Sequence, residues 1–163
     1  SGWRTTSMLF IFESHRDNMI LHASCIDIDG RGILILGASG SGKSTLAIQL
    51  IALGASLVAD DKTLVTRVEN HVIARCPTAI KGLIEARGIG FLRPKLVQET
   101  RLHLVIDLNQ RETSRLPEQK YHDLFGVKLS LIYPTQMDGF ASAVYILAQS
   151  GLAQDQNLSD VNS

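Results

Sequence analysis

Apolar positions in this chain come in short runs, most of them four to eight residues long and divided by glycine-rich or polar breaks. Residues 8–13, "MLFIFE", read as a strand or short buried run, and "SHRDN" as a polar turn. "MILHASCIDIDG" alternates towards its end, with Cys25, Asp27 and Asp29 set against Ile26 and Ile28, which predicts a half-buried strand. Asp29–Gly32 supplies a hairpin turn, and "ILIL" reads as a strand buried on both faces. "STLAIQLIALG" has helical spacing, with Leu46, Leu50 and Leu53 on one face and Gly54 at the C-terminal cap. "SLVADD" is a strand ending in two aspartates. "TLVTRVENHVIAR" continues as a hairpin with its turn at Glu69–His71. "CPTAIKGLIEARGIG" is a second helical patch, opened by Pro77 (helix start or turn) and closed by Gly88 and Gly90. "FLRPKLVQET" is a loop, "RLHLVIDL" a strand, "NQRETSRLPEQKYHD" a surface loop and "LFGVKLSLIYP" another strand. "GFASAVYILAQSGLA" is a last helix, followed by a polar tail. The pattern predicts an α/β fold: a strand-rich mixed sheet with flanking helices.

Composition narrows this picture. The 163 residues suit one domain, with residues 1–7 as an extension or cloning scar, 8–152 as the domain and 153–163 as a tail expected to fray. Apolar residues make up 45% and charged residues 20%, which predicts a globular chain. The formal charge is zero and no basic stripe gathers, so neither nucleic acid nor membrane is an expected partner. No apolar run reaches the ~18 residues of a membrane span, and no secretory signal opens the chain. A cytoplasmic location is therefore expected. Cys25 and Cys76 fit buried thiols better than a disulfide, and no His/Cys spacing suggests zinc.

Candidate chemistry begins at Gly37-Ala38-Ser39-Gly40-Ser41-Gly42-Lys43-Ser44, which satisfies G-x-x-x-x-G-K-[ST] between a strand and a helix. Glycines let the backbone curl until its N–H groups converge on phosphate oxygens, and the helix start adds its positive end. Lys43 reaches the β- and γ-phosphates, and the Ser44 hydroxyl ligates Mg²⁺. With Thr45, these residues form the expected ATP-binding set. The bland alternative is a glycine-rich turn that binds nothing.

Mg²⁺ needs further oxygen ligands and a kinase needs a base near its acceptor. Asp60 and Asp61 end an apolar strand and would point to opposite sides if it continued, which gives them different roles. A solvated turn is the plain alternative. Glu85 and Arg87 stand among apolar neighbours, where a structural ion pair at a helix end competes with a functional role.

His22, the "GASGSGKS" loop, "LVADD" and "IEARGIG", in this order and spacing, together resemble the catalytic domain of HPr kinase/phosphorylase. The resemblance runs over about residues 8–115 and implies a P-loop fold that phosphorylates a serine of HPr, the phosphocarrier of the bacterial sugar phosphotransferase system. It implies Asp61 as general base, Asp60 as its orienting neighbour and His22 beside the reacting phosphate. Ser44 and Glu85 would be the Mg²⁺ ligands, and Arg115 would match the family's downstream catalytic arginine. With no N-terminal domain ahead of the core, the chain resembles the short form found in some proteobacteria. The family's basic "RPGRN"-like loop reads "PTQMDGFAS" here, with Asp138 and no arginine, which favours the kinase over the phosphorylase direction. A polar tail in place of the family's C-terminal helix argues against a hexamer and leaves a smaller homo-oligomer open. Two other readings compete with the protein-serine kinase. One is a small-molecule P-loop kinase, for which segment 109–123 offers Arg111 and Arg115 as a lid. The other is a nucleotide-binding switch without transfer.

Overall fold

The computed structural model describes residues 17–77 and 82–152; the expected strand at 8–13, the residues just after Pro77 and the polar tail lie outside them. Eleven strands and two helices are described: β1 Asn18–Leu21, β2 Ala23–Ile28, β3 Arg31–Leu36, α1 Lys43–Leu53, β4 Ser56–Ala59, β5 Thr63–Val68, β6 His71–Arg75, β7 Ile84–Ala86, β8 Gly90–Leu92, β9 Glu99–Asp107, β10 Lys120–Leu124, β11 Val127–Ile132 and α2 Phe140–Ser150. Nine of the strands join one mixed sheet, seven of them in the order β1-β5-β6-β9-β3-β2-β4, with β11 and β10 branching from β9. β9 is its spine. One edge pairs in parallel with β3; the other pairs first with β6, antiparallel, and then with β11, parallel. β7 and β8 form a separate hairpin.

Both helices pack on one face of the sheet. Leu46, Ala47 and Leu50 of α1 and Val144 of α2 bury against Ile26, Ile28, Ile33, Ile35, Leu104 and Ile106. Cys25, Leu34, Val65, Val72, Leu102 and Val105 form a second core on the opposite face. Burial first, and the Asp27 charge second, push the Cys25 thiol well above its usual range, and Cys25 and Cys76 form no disulfide. No helix among the described residues is long and apolar enough to cross a membrane.

Several expectations are corrected. β2 is buried on both faces rather than half-buried, because Asp27 is satisfied internally: it accepts from Thr100 Oγ1 at 2.6 Å and from the Gly30 N–H at 3.2 Å. The "MILHASC" run breaks at His22, so β1 pairs with β5 while β2 pairs with β3 and β4. The described part of the second helical patch is the β7–β8 hairpin, since Gly88 (φ 85) and Gly90 (φ 138) take conformations a helix does not contain. "QKYHDLFGVKLSLI" is also a hairpin, β10–β11, whose first strand was expected to be loop. Its turn places Phe125 and Gly126 at positive φ, and Arg67 Nη1 donates to the Phe125 carbonyl. The β5–β6 turn falls at Glu69 and Asn70. Leu53 is exposed, whereas Gly54 caps α1 as expected: Ala55 N–H donates to Leu50 O and Gly54 N–H to Ile51 O, both at 3.0 Å.

Gly32 shows how tightly the spine is packed. A Cβ there would meet Thr100 Cγ2 at 2.5 Å and the Arg101 carbonyl at 2.8 Å. Gly32→Ala should therefore cost about 1–3 kcal/mol in urea unfolding; an unchanged midpoint and slope would contradict this packing.

Candidate active site

β3 is parallel to β9 and surrounded by sheet, and the chain leaves its C-terminal end as the loop 37–42. Gly40 (φ 83) and Gly42 (φ 101) adopt left-handed backbone conformations, and a Cβ on either would meet nothing within 4 Å. Glycine is required there by conformation, and the space a side chain would fill is left open as a cradle. Gly37 is required for a different reason: its Cβ would collide with Ser41 Oγ. α1 starts at Lys43 with no acidic residue of its own in its first turn.

Two features of this loop suit a phosphate. Lys43 is only 6% exposed, yet among the described residues its ammonium meets only the carbonyls of Gly37 (2.8 Å) and Ala38 (3.1 Å) and no counter-charge. Ser41 Oγ is buried with no hydrogen-bond partner among the described residues. An anion entering the cradle would offer Lys43 the charge it lacks.

The aspartates sit beside the loop because of an irregularity in β4. Ile26 pairs with Leu57, but Cys25 pairs with Ala59, so Val58 is an extra residue. Leu57 accordingly joins the helix-side core while Val58 and Ala59 both join the other. The next residue, Asp60, thus turns to the helix side, across from Ser24. Its Oδ1 accepts from Ser24 Oγ and from Ser44 Oγ, both at 2.8 Å. The strand ends there, so Asp61 is not set opposite by strand alternation, as expected from sequence. It occupies positive φ (67°), and the Lys62 N–H bonds the Asp60 carbonyl at 2.8 Å, closing a three-residue γ-turn that is uncommon for a non-glycine residue. Ser24 Oγ accepts from the Asp61 N–H at 3.3 Å, and Asp61 Oδ1 meets His22 Nε2 at 2.7 Å.

The expected residues are thus brought together unequally. Ser44, Asp60, Asp61 and His22 form one connected chain of contacts through Ser24, and Lys43 adjoins it only as the residue before Ser44. Glu85 stands on β7 in the cleft that Asp60 and Asp61 also line, and β7 is fixed by Ile84 in the α1 core. Glu85 makes no ion pair with Arg87; both are exposed. Arg115 is exposed in the segment after β9 and makes no ion pair with the other candidates. That segment is held by Glu112, whose N–H donates to Pro134 O at 3.0 Å and whose carboxylate takes the Lys120 ammonium at 2.5 Å; this bond, first of several, holds the Glu112 carboxyl below its usual range. Among the described residues no group of three His, Cys, Asp or Glu side chains could hold a metal by itself. The oxygen groups that could hold a metal here are the Ser44 hydroxyl with the Asp60 and Glu85 carboxylates, of which Ser44 and Asp60 share a hydrogen bond and Asp60 and Glu85 line one cleft.

Two contributors escaped the sequence reading. Ser24 links both aspartates from β2. Asn109 accepts from the Ala38 N–H through Oδ1 at 2.9 Å, and its own N–H donates to Asp107 Oδ1 at 2.9 Å, so the end of β9 braces the loop. Only the topology signals Asn109: it follows the strand parallel to β3. Asn109→Ala should remove about 1 kcal/mol of bracing and weaken ATP binding roughly fivefold with the thermal midpoint little changed; unaltered affinity in calorimetry would deny the brace.

The chain has relatives among known proteins. The chain is 34% identical over 136 residues to an HPr kinase/phosphorylase of Cupriavidus metallidurans, covering 76% of this chain and 42% of the relative. It is 35% identical over 133 residues to one of Aromatoleum aromaticum, covering 73% and 42%. The chain thus spans about two fifths of the length of these relatives. A solved structure of the HPr(Ser) kinase/phosphatase from Coxiella burnetii superposes with a TM-score of 0.67 at 23% identity, over 89% of this chain and 99% of that one, which shows the same fold. The profile described as the HPr Serine kinase C-terminal domain matches residues 14–139, a span holding His22, the phosphate loop, the Asp60–Asp61 turn and Glu85. On that match, the chain belongs to the HPr serine kinase C-terminal domain family.

Proposed function

We propose that this domain transfers the γ-phosphoryl group of ATP to a serine of HPr or an HPr-like phosphocarrier, acting in the cytoplasm. The observation that carries the reading is the joining of a phosphate loop to a separate carboxylate: Ser44 to Asp60, and Asp60 by way of Ser24 to Asp61. A phosphate loop by itself supports binding. A carboxylate held next to it in a strained turn supports transfer, because the serine hydroxyl needs a proton acceptor.

The roles divide by geometry. The loop amides and Lys43 bind the triphosphate, and Lys43 exchanges two carbonyls for phosphate oxygens. Ser44, Asp60 and Glu85 would hold Mg²⁺, which when bound neutralises charge between the β- and γ-phosphates. Asp60 joins this set because it already shares a hydrogen bond with Ser44. Asp61 takes the serine proton. His22, on one oxygen of Asp61, holds that carboxylate in place and leaves the other oxygen for the acceptor. Arg115 would serve the transferred phosphoryl group as the downstream arginine of the family resemblance. The stretch before α2 carries Asp138 and no arginine, which favours the kinase direction.

Asp61→Asn should bind MgATP as the parental chain does and lose phosphoryl transfer to HPr by at least about a hundredfold. Transfer at the parental rate would remove Asp61 as base.

A further inference from the structure

Exposed apolar side chains gather beside the carboxylates. Ile89 is 81% exposed and Phe91 71%, and Leu92 and Leu96 are exposed in the same stretch. Phe91 is directly opposite Glu85 in the β7–β8 pair, so both lie on one face of the hairpin. Both also line the cleft that holds Asp60, Asp61 and Lys62. A large aromatic ring thus stands mostly in water in a cleft that joins apolar side chains to three carboxylates. The two cores are filled by other residues, and Phe91 belongs to neither.

The stretch is rigidly mounted. Ile84, at the base of the hairpin, is buried with Leu46, Ala47 and Leu50 of α1. Beyond β8, the Leu57 N–H donates to Lys95 O at 2.8 Å and the Val97 N–H to Leu57 O at 3.1 Å, tying the segment to the outer edge of β4. Leu96 also packs close to Gly82. Phe91 is therefore presented at a fixed place relative to Asp61, two residues beyond the end of β4.

The segment around Phe91 carries charges of one sign, against the carboxylates of Glu85, Asp60 and Asp61 in the cleft. Residues 86–98 contain Arg87, Arg93 and Lys95 and no acidic residue, in a chain of zero formal charge. None of the three makes an ion pair among the described residues, and all are exposed. An aromatic centre with a cationic rim next to a proton acceptor is complementary to a particular kind of surface.

Building on the kinase reading, we propose that residues 87–96 dock the protein acceptor. Phe91 covers an apolar side chain next to the target serine, and Arg87, Arg93 and Lys95 face acidic groups around it. The surface commits the site to a folded protein acceptor. A small phosphate acceptor would leave Phe91 and Ile89 in water and would need none of this surface.

The test is calorimetric titration of purified HPr into the parental chain, Phe91→Ala, and a double variant carrying Arg93→Glu and Lys95→Glu, at low and moderate salt. Phe91→Ala should weaken HPr binding roughly tenfold. The charge reversal should weaken it at low salt and flatten its salt dependence. MgATP affinity and the thermal midpoint should match the parental chain in both, since every altered side chain is exposed. HPr affinity within about twofold of parental in Phe91→Ala, or no HPr binding by the parental chain, overturns the docking surface. Docking as described with no phosphoryl transfer would leave this surface standing and overturn the kinase reading instead.

Discussion

One carboxylate oxygen, Asp60 Oδ1, holds the two halves of the site together. It takes hydroxyl hydrogen bonds from Ser24 on β2 and Ser44 on α1, so sheet and phosphate loop are positioned against each other at one atom. Hydrogen bonds to a charged acceptor are worth about 1.5–3 kcal/mol each, more than neutral ones. The contact exists only because β4 carries one extra residue at Val58. With regular pairing, position 60 would fall opposite Ala23 and face the second core, where a carboxylate has no partner. The bulge thus converts an edge strand into an arm that delivers a carboxylate to the helix side.

The next two residues depend on that placement. Because Asp60 is tied down, the backbone must turn at once, and Asp61 takes the positive φ that lets Lys62 bond back to Asp60. That turn points the second carboxylate at His22, the residue at which β1 and β2 divide. The strain is offset by the bonds around it, from Ser24 to both aspartates and from Asp61 to His22. On the other side of the loop, Asp107 and Asn109 perform a comparable service for Ala38. The phosphate loop is therefore braced from β4 and from β9, the two ends of the chain's path around β3.

The phosphate loop and its flanking strand and helix were legible in the sequence because their geometry demands particular residue types: glycine at positive φ, lysine and serine at the helix start. The presence of a carboxylate pair was legible too, but its disposition was not. Val58 and Ala59 carry no mark of a bulge, and alternation counted through them aims Asp60 and Asp61 wrongly. "GLIEARGIG" misled because strands of three residues are too short to show a period, while its glycines fit a helix end as well as a hairpin. Asp27 disguised a fully buried strand as a half-buried one, since its partner Thr100 lies 73 residues away. Asn109 and Ser24 were invisible for the same reason: their roles come from contacts between distant segments.

Phosphate binding at the loop and proton acceptance at Asp61 form one connected site that would act on a protein serine. Incubation of this chain with γ-labelled ATP, Mg²⁺ and purified HPr, followed by mapping of the labelled peptide, tests it most directly. Label is expected on one serine of HPr, with none when Mg²⁺ is chelated. Bound ATP with no label on HPr after prolonged incubation would contradict it and leave a nucleotide-binding domain without transfer.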